Sequence, residues 1–249
     1  PDWRVFHTQE ESAAVTGCEK CRYGEAPLGR KLAHDGARRV SRFRTSLERM
    51  PVVAILRGLQ PAHAVSTAEA LVEAGICILE VPLNVDGALR SIGAIRGAVG
   101  DDVLVGGGTL RTVDDLAALA NAGGELAVMP HLDASLVIGA LDIGLIPVSG
   151  VFTPSEAFAA LDVGAEGLKI FPAEALSPNA IAAWRSIMAR EEALLLPTGG
   201  INAEDVPDWW AVGADGFGVG SAVFDPNGDL DETRRRADAF VSAITQARS

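Results

Sequence analysis

Short apolar segments recur along the chain from residue 52 onwards, at intervals of roughly 20–27 residues. Each is long enough for one buried strand, and each is followed by a longer segment of mixed polarity. The predicted strands are residues 52–56, 77–81, 103–105, 126–129, 145–148, 167–171, 194–197 and 216–219.

The segments between the predicted strands carry apolar residues at helical spacing, as residues 65–74 and 113–122 do. These two segments are followed by Gly75 and Gly123, and glycine is common just after the last turn of a helix. Alternating strands and helices predict a parallel sheet, because a helix crosses over between two strands that run the same way.

Eight strand–helix units predict an α/β protein with the (β/α)8 TIM barrel fold. An open, doubly wound sheet is the competing architecture, and it usually has a glycine-rich phosphate loop after its first strand. Here Arg57, Gly58 and Leu59 follow the first strand, and the glycine-rich turns come late in the chain. The order of the turns therefore favours the barrel.

Residues 1–40 lack sustained helical or strand periodicity, and we expect them to form a poorly ordered N-terminal extension. The barrel domain then spans residues 41–249, with residues 41–50 as a candidate leading helix. Cys18 and Cys21 form an isolated C-x-x-C pair in the extension. Without further ligands at zinc spacing, a redox or metal role for this pair is the less favoured interpretation.

The composition is that of a globular protein with a substantial core, since 48% of the 249 residues are hydrophobic and 22% are charged. No apolar run approaches the ~18–20 residues that span a bilayer, which predicts a cytoplasmic protein without a membrane partner. The net charge of −12 argues against nucleic acid as a partner. An anionic substrate would therefore need local donors to bind.

Lys169 is the strongest candidate for a catalytic residue. The chain contains three lysines; Lys20 and Lys31 lie in the extension, and arginine supplies the other long bases of residues 41–249. Lys169 lies in an apolar predicted strand, where burial lowers the pKa of an amine and makes it a nucleophile toward a carbonyl carbon. The competing interpretation is a structural lysine paired with a buried carboxylate.

Glu80 lies near the end of the second predicted strand, and Arg57 ends the first. The carboxyl ends of barrel strands meet at one mouth, so Glu80 can approach Lys169 there. A buried carboxylate beside a Schiff base can transfer protons, and arginine can bind a substrate carboxylate through two parallel hydrogen bonds. A structural ion pair of Glu80 with Lys169 or Arg57 is the alternative.

Glycine-rich turns follow three predicted strands, at residues 106–109, 197–201 and 216–222. Glycine lets a ligand approach the backbone, and the loops after strands seven and eight are common phosphate sites in barrels. The two late turns therefore predict a phosphate bound by backbone N–H groups, which needs no lysine.

Residues 41–249 contain two histidines, His63 and His131, and neither lies in a cluster of ligands that a catalytic metal would need. We therefore predict no metal and no cofactor. Metal-dependent aldol chemistry, in which a bound cation polarises the carbonyl, is disfavoured on the same ground.

Together these motifs resemble the KDPG/KDPGal aldolase family, the class I aldolases of 2-dehydro-3-deoxy-6-phosphogluconate and -phosphogalactonate. The resemblance covers residues 51–247 and rests on A-I-L-R-G at 54–58, E-V-P-L-N at 80–84, G-G-G-T at 106–109, L-K-I-F-P-A at 168–173 and T-G-G-I at 198–201. It implies a (β/α)8 barrel, a carbon–carbon lyase without a cofactor, a small phosphorylated keto acid as ligand, and a homotrimer.

The resemblance also implies a role for each motif. Lys169 would form a Schiff base with the C2 ketone, and Glu80 would transfer protons through a water molecule while the C3–C4 bond breaks. The products would be pyruvate and glyceraldehyde 3-phosphate. Arg57 and Thr109 would bind the substrate carboxylate. Further substrate contacts would come from Asn84, Pro130, Phe171 and Thr198, and the phosphate would lie on Gly199, Gly200, Gly220 and Ser221.

Two features bear on the preferred substrate epimer. Gluconate-type members of the family carry arginine in E-V-T-L-R, where this chain has Asn84. Arg57 in A-I-L-R-G is instead similar to the galactonate-type members, so this exchange favours 2-dehydro-3-deoxy-6-phosphogalactonate. Thr198 favours the gluconate epimer instead, since it resembles the residue of the gluconate-type members.

Other functions stay open from the sequence. Cleavage of 2-dehydro-3-deoxy-6-phosphogluconate or 4-hydroxy-2-oxoglutarate would use the same Schiff base. A non-catalytic sugar-phosphate-binding barrel would not form a reducible imine. A phosphate-binding barrel with other chemistry, such as an epimerase or a relative of thiamine-phosphate synthase, would not need the lone lysine of strand six.

Overall fold

The apolar segments of the sequence form eight parallel strands in a computed structural model that describes residues 41–249. The extension expected at residues 1–40, with Cys18 and Cys21, lies outside the described residues. The strands are Val52–Ile55 (β1), Ile78–Pro82 (β2), Leu104–Gly108 (β3), Leu126–Val128 (β4), Ile146–Val151 (β5), Gly167–Ile170 (β6), Leu195–Pro197 (β7) and Phe217–Val219 (β8).

These strands form one sheet that closes on itself. The hydrogen-bonded order is β7-β6-β5-β4-β3-β2-β1-β8, and an isolated parallel bridge between Thr198 and Gly218 joins the ends of β7 and β8. The fold is the predicted TIM barrel. Strands β3 and β5 continue further than predicted, to Gly108 and Val151. The prediction ended them too early because glycine and serine interrupt the apolar pattern by which a strand is recognised.

Helices follow the strands, and the two that the sequence predicted most clearly are observed within one residue of their expected ends. No helix within residues 41–249 is long and apolar enough to cross a membrane. The helices of this part of the chain are Arg42–Arg49 (α1), Ala64–Glu73 (α2), Ala88–Ala98 (α3), Val113–Asn121 (α4), Ala134–Asp142 (α5), Pro154–Asp162 (α6), Pro178–Arg185 (α7), Val206–Ala211 (α8) and Leu230–Ala247 (α9).

Capping residues fix the start of two helices just beyond the barrel mouth. The Thr112 hydroxyl accepts from the Asp115 N–H at the start of α4, and Thr153 does the same for Glu156 at the start of α6. In both cases the acidic side chain accepts from the N–H of the capping residue in return. Such reciprocal bonds stabilise a helix start, so the turns after β3 and β5 are held in place.

Helix α1 closes the amino-terminal end of the barrel. Phe43 and Leu47 are buried and pack against the apolar side chains that point into the barrel. Two glycines make room for them: a Cβ on Gly167 would lie 2.8 Å from Phe43 Cε1, and one on Gly216 would lie 3.0 Å from Leu47 Cδ2. This plug leaves the carboxyl end of the barrel for a substrate.

Candidate active site

Lys169 projects from the middle of β6 into the barrel. It is 7% exposed, and its neighbours in the sheet are Gly150 of β5 and Leu196 of β7. Burial lowers the pKa of Lys169, and the negative charge of Glu80 partly opposes this shift. The Nζ atom lies 5.3 Å from the centre of the Phe171 ring. The amine therefore loses its proton more readily than an exposed lysine does.

Glu80 lies on β2, between Ile55 of β1 and Gly106 of β3, and its side chain also projects into the barrel. Burial raises the pKa of Glu80, while the charges of Lys169 and Arg57 oppose this change. Its Oε2 atom is buried and has no hydrogen-bond partner within residues 41–249. Such a carboxyl group retains a proton more readily than an exposed one, as a proton-transfer group requires.

The structure shows no direct ion pair between Lys169 and a carboxylate of residues 41–249. Among the described residues, no carboxylate oxygen lies within 4.0 Å of Lys169 Nζ. Instead, Lys169 and Glu80 both line a small interior cavity of about 10 Å³, otherwise enclosed mainly by apolar side chains. A space of this size corresponds to about one water molecule.

A larger cavity of about 460 Å³ opens at the carboxyl end of the barrel, above Lys169. We call it the mouth cavity. It brings together eight of the residues that the sequence singled out, which are Arg57, Lys169, Phe171, Thr198, Gly199, Gly200, Gly220 and Ser221.

Thr109, Asn84 and Pro130 lie at the same end of the barrel but do not line this cavity. They follow β3, β2 and β4, respectively. Thr109 has a φ of 60°, a left-handed conformation that is uncommon for residues other than glycine and that often marks a functional turn.

The mouth cavity also has an apolar wall that the sequence did not predict. It includes Val85 from the loop after β2, and Phe224 and Pro226 from the loop after β8. These apolar residues belong to no motif. The one signal in the sequence is that they lie outside the predicted strands and helices.

Backbone N–H groups at the ends of β7 and β8 are available to a ligand. Within residues 41–249, those of Gly200, Gly220 and Ser221 donate no hydrogen bond, whereas Gly199 adjoins the Thr198–Gly218 bridge. A Cβ on Gly220 would meet nothing closer than an oxygen at 3.9 Å, so the space beside it is open. Free N–H groups around an open space are suited to bind an anion.

The buried Thr198 hydroxyl forms a hydrogen bond within the barrel wall, since it donates to the carbonyl of Leu196 at 3.0 Å. A Cβ on Gly218 would overlap Oγ1 of Thr198. The hydroxyl is therefore engaged within its own strand and packs against Gly218, which reduces its value as evidence for a particular substrate epimer.

No group of three or more side chains that could hold a metal ion occurs among residues 41–249. Donors to anions, in contrast, are concentrated at the mouth, where Arg57 and the free N–H groups of the glycine turns surround the entrance to Lys169. The mouth cavity therefore combines an amine with a cationic side chain and N–H groups that can bind anions.

Comparison with known proteins gives consistent matches over the barrel. A protein-family model described as KDPG and KHG aldolase matches residues 43–235. A probable 2-dehydro-3-deoxy-6-phosphogalactonate aldolase of Rhizobium meliloti (strain 1021) is 37% identical over 193 residues, which cover 78% of this chain and 91% of that relative.

Two further matches agree with each other in coverage. The 2-dehydro-3-deoxy-6-phosphogalactonate aldolase of Escherichia coli (strain K12) is 35% identical over 199 residues, which are 80% of this chain and 97% of the relative. A solved structure described as native KDPGal structure superposes with a TM-score of 0.78 at 34% identity, over 80% of this chain and 97% of the other.

Proposed function

The chain belongs to the KDPG and KHG aldolase family of class I aldolases, and we propose that it cleaves 2-dehydro-3-deoxy-6-phosphogalactonate to pyruvate and D-glyceraldehyde 3-phosphate. One observation carries the proposal: a buried lysine whose pKa is lowered lies between a cavity shared with Glu80 and a mouth that offers anion-binding groups. The same lysine is the only one in residues 41–249.

The reaction begins when the neutral amine of Lys169 attacks the C2 carbonyl of the substrate. One proton moves from the attached nitrogen to the former carbonyl oxygen and Glu80 transfers a second, so that the oxygen leaves as water and an iminium ion remains. Glu80 then removes the proton of the C4 hydroxyl. The electrons of the C3–C4 bond move toward the iminium nitrogen, and the aldehyde departs. Protonation of C3 and hydrolysis of the imine release pyruvate and restore Lys169.

Arg57 in the mouth cavity and Thr109, at the same end of the barrel but outside that cavity, bind the substrate carboxylate. Gly199, Gly200, Gly220 and Ser221 line the mouth cavity and bind the phosphate. The Arg57 side chain is exposed at the cavity and has no ion-pair partner among residues 41–249, so it is available to a ligand. Phe171, Thr198, Asn84 and Pro130 surround the remaining atoms of the sugar acid.

Two observations support the galactonate epimer. Arg57 lines the mouth cavity whereas Asn84 does not, which supports Arg57 as the group that binds the substrate carboxylate. Thr198, the residue that favoured the gluconate epimer, uses its hydroxyl in the barrel wall. Cleavage of 2-dehydro-3-deoxy-6-phosphogluconate or 4-hydroxy-2-oxoglutarate is the second candidate function.

An assay of pyruvate release from the two phosphorylated epimers, run in parallel with EDTA present, tests the proposal. We expect faster release from the galactonate epimer and no loss of activity in EDTA. A preference for the gluconate epimer would overturn the substrate assignment but not the reaction. Failure to cleave either epimer would overturn the reaction itself.

A homotrimer is the proposed assembly, formed through helices α5 and α6. The neighbouring helices α5 and α6 expose Ile138, Leu141 and Phe158 to solvent, and Ile143 is exposed directly after α5. Exposed apolar side chains grouped on one face are typical of subunit contacts. Sedimentation velocity should report a trimer for the wild type and smaller species for Phe158→Glu. A monomeric wild type would exclude this assembly.

The cytoplasmic location stays a prediction.

A further inference from the structure

The carboxylate of Glu80 fills the space that a side chain on residue 108 would occupy. A Cβ placed on Gly108 would overlap Oε1 and Cδ of Glu80 and would lie 3.0 Å from its Cγ. The glycines at residues 106–108 were expected to leave their backbone open to a ligand. At Gly108 the structure shows that a side chain of the protein has taken that space.

The sheet register explains this contact. Glu80 pairs with Gly106, and Gly108 is two residues further along β3, so both glycines present the same face of the strand to Glu80. Side chains in strands lean along the strand direction, which carries the carboxylate of Glu80 over Gly108. Gly107, between them, faces the outer helices, where a Cβ would lie 3.0 Å from Leu119 Cδ1.

The backbone of Gly108 does not by itself require glycine. Its φ is not positive, unlike those of Gly199 and Gly200, so an L-amino acid could adopt the same conformation. The constraint at position 108 is therefore one of space, and the group that imposes it is the carboxylate of Glu80.

Packing against Gly108 matters because few other contacts hold this carboxylate. Within the described part of the chain, the carboxylate of Glu80 accepts no hydrogen bond, and its Oε2 is buried without a partner. We propose that Gly108 is a positioning residue, whose missing side chain lets the Glu80 carboxylate lie over β3 and face Lys169. The inference rests on the proposed role of Glu80 in proton transfer.

The test substitutes alanine at position 108 and uses Gly107→Ala as the matched control. Both changes add one methyl group to the same strand, but only the first overlaps Glu80. Because well-placed general acid–base catalysis contributes about 10²–10⁴-fold, we expect Gly108→Ala to lower kcat by about 10²-fold or more, with a smaller change in KM. Gly107→Ala should keep kcat within a fewfold of the wild type.

A double-mutant comparison separates an effect through Glu80 from a general disturbance. If Gly108 acts by placing Glu80, then Gly108→Ala should cause little further loss of kcat in a Glu80→Gln background. The same fold-loss in both backgrounds would overturn the inference. Should Gly108→Ala fail to fold, combining it with Glu80→Ala should restore folding, and a double variant that stays unfolded would also overturn it.

Crystal structures of the wild type and of Gly108→Ala make the result independent of the proposed reaction. If the wild type cleaves neither epimer, the proposed function fails, but the position of Glu80 can still be compared. We expect the carboxylate to be displaced from residue 108 in the variant. A carboxylate that keeps its wild-type place would overturn the role of Gly108.

Discussion

Lys169 and Glu80 carry opposite pKa shifts for the same physical reason. Burial disfavours charge, so it lowers the pKa of the amine and raises the pKa of the carboxyl group. Each residue is thereby moved toward its neutral form. In the proposed reaction these are the forms that start catalysis, with the amine as nucleophile and the carboxyl group as proton donor.

At this scale, Lys169→Arg is expected to abolish imine formation, because a guanidinium group does not lose its proton at workable pH. Borohydride reduction in the presence of pyruvate, followed by mass spectrometry, should label the wild type at Lys169 and leave the variant unlabelled. The Lys169→Arg protein should still bind substrate, and near-normal cleavage by it would contradict the mechanism.

Glu80→Gln should lower kcat and change how stability depends on pH. Since the pKa of Glu80 is raised by burial, the folded protein binds this proton more tightly than the unfolded chain. Wild-type stability therefore falls as pH rises from the ordinary glutamate pKa, about 4.3, through the raised value. Glutamine does not titrate.

Thermal melts at increasing pH measure this effect. The difference in Tm, variant minus wild type, should become more positive as pH rises through that window. A difference that is constant, or that moves in the wild type's favour, would mean that burial does not raise the pKa of Glu80.

Inward-pointing polar residues at strand ends were predictable from the sequence, but close contacts between strands were not. Lys169, Glu80 and Arg57 stood out because each interrupts or ends an apolar segment, and the fold gathers such ends at one mouth. The contact of Glu80 with Gly108 depends on the register of β2 against β3. That register cannot be obtained from either segment alone.

At the scale of elements, α1 differs from the other helices because it covers the end of the barrel. Ser41 caps it by accepting from the Arg44 N–H at 3.2 Å, and Arg42 and Arg49 pair with Glu125 and Asp102. The sequence indicated a candidate leading helix here. It could not indicate where the helix packs, since that depends on the small residues Gly167 and Gly216 inside the barrel.

Phe43→Ala is expected to destabilise the fold by about 3–5 kcal/mol, because it removes a fully buried aromatic side chain from the plug. Thr45→Ala, at an exposed position of the same helix, serves as the control and should cost less than about 0.5 kcal/mol. Urea unfolding followed by circular dichroism measures both. A loss below about 1 kcal/mol for Phe43→Ala would show that the helix is only loosely docked.

For the whole molecule, closure of the barrel depends on the seam between β7 and β8. Besides the Thr198–Gly218 bridge, the Asp215 carboxylate accepts from the Leu195 N–H at 2.7 Å and pairs with Arg185. The eightfold alternation of the sequence predicted that the barrel closes. The seam was not predictable, because Asp215 looks like any other polar residue before a strand.

Asp215→Ala should destabilise the protein by roughly 3–5 kcal/mol, since it leaves the largely buried Arg185 without its ion-pair partner. Asp102→Ala is the matched control: it breaks the exposed pair with Arg49, which solvent screens, and should change the stability little. Equal losses in urea unfolding for the two variants would contradict a special role of Asp215 in the seam.

Because α1 covers its amino-terminal end, the barrel of residues 41–249 is open at its carboxyl end, which affects the order of events in turnover. In the proposed reaction the pyruvate fragment stays bonded to Lys169 at the inner end, while the aldehyde lies nearer to solvent. The two products must then leave in sequence, aldehyde first. Added pyruvate would compete with substrate for the free lysine. Added aldehyde would instead bind to the form of the protein in which the pyruvate fragment is still bonded to Lys169.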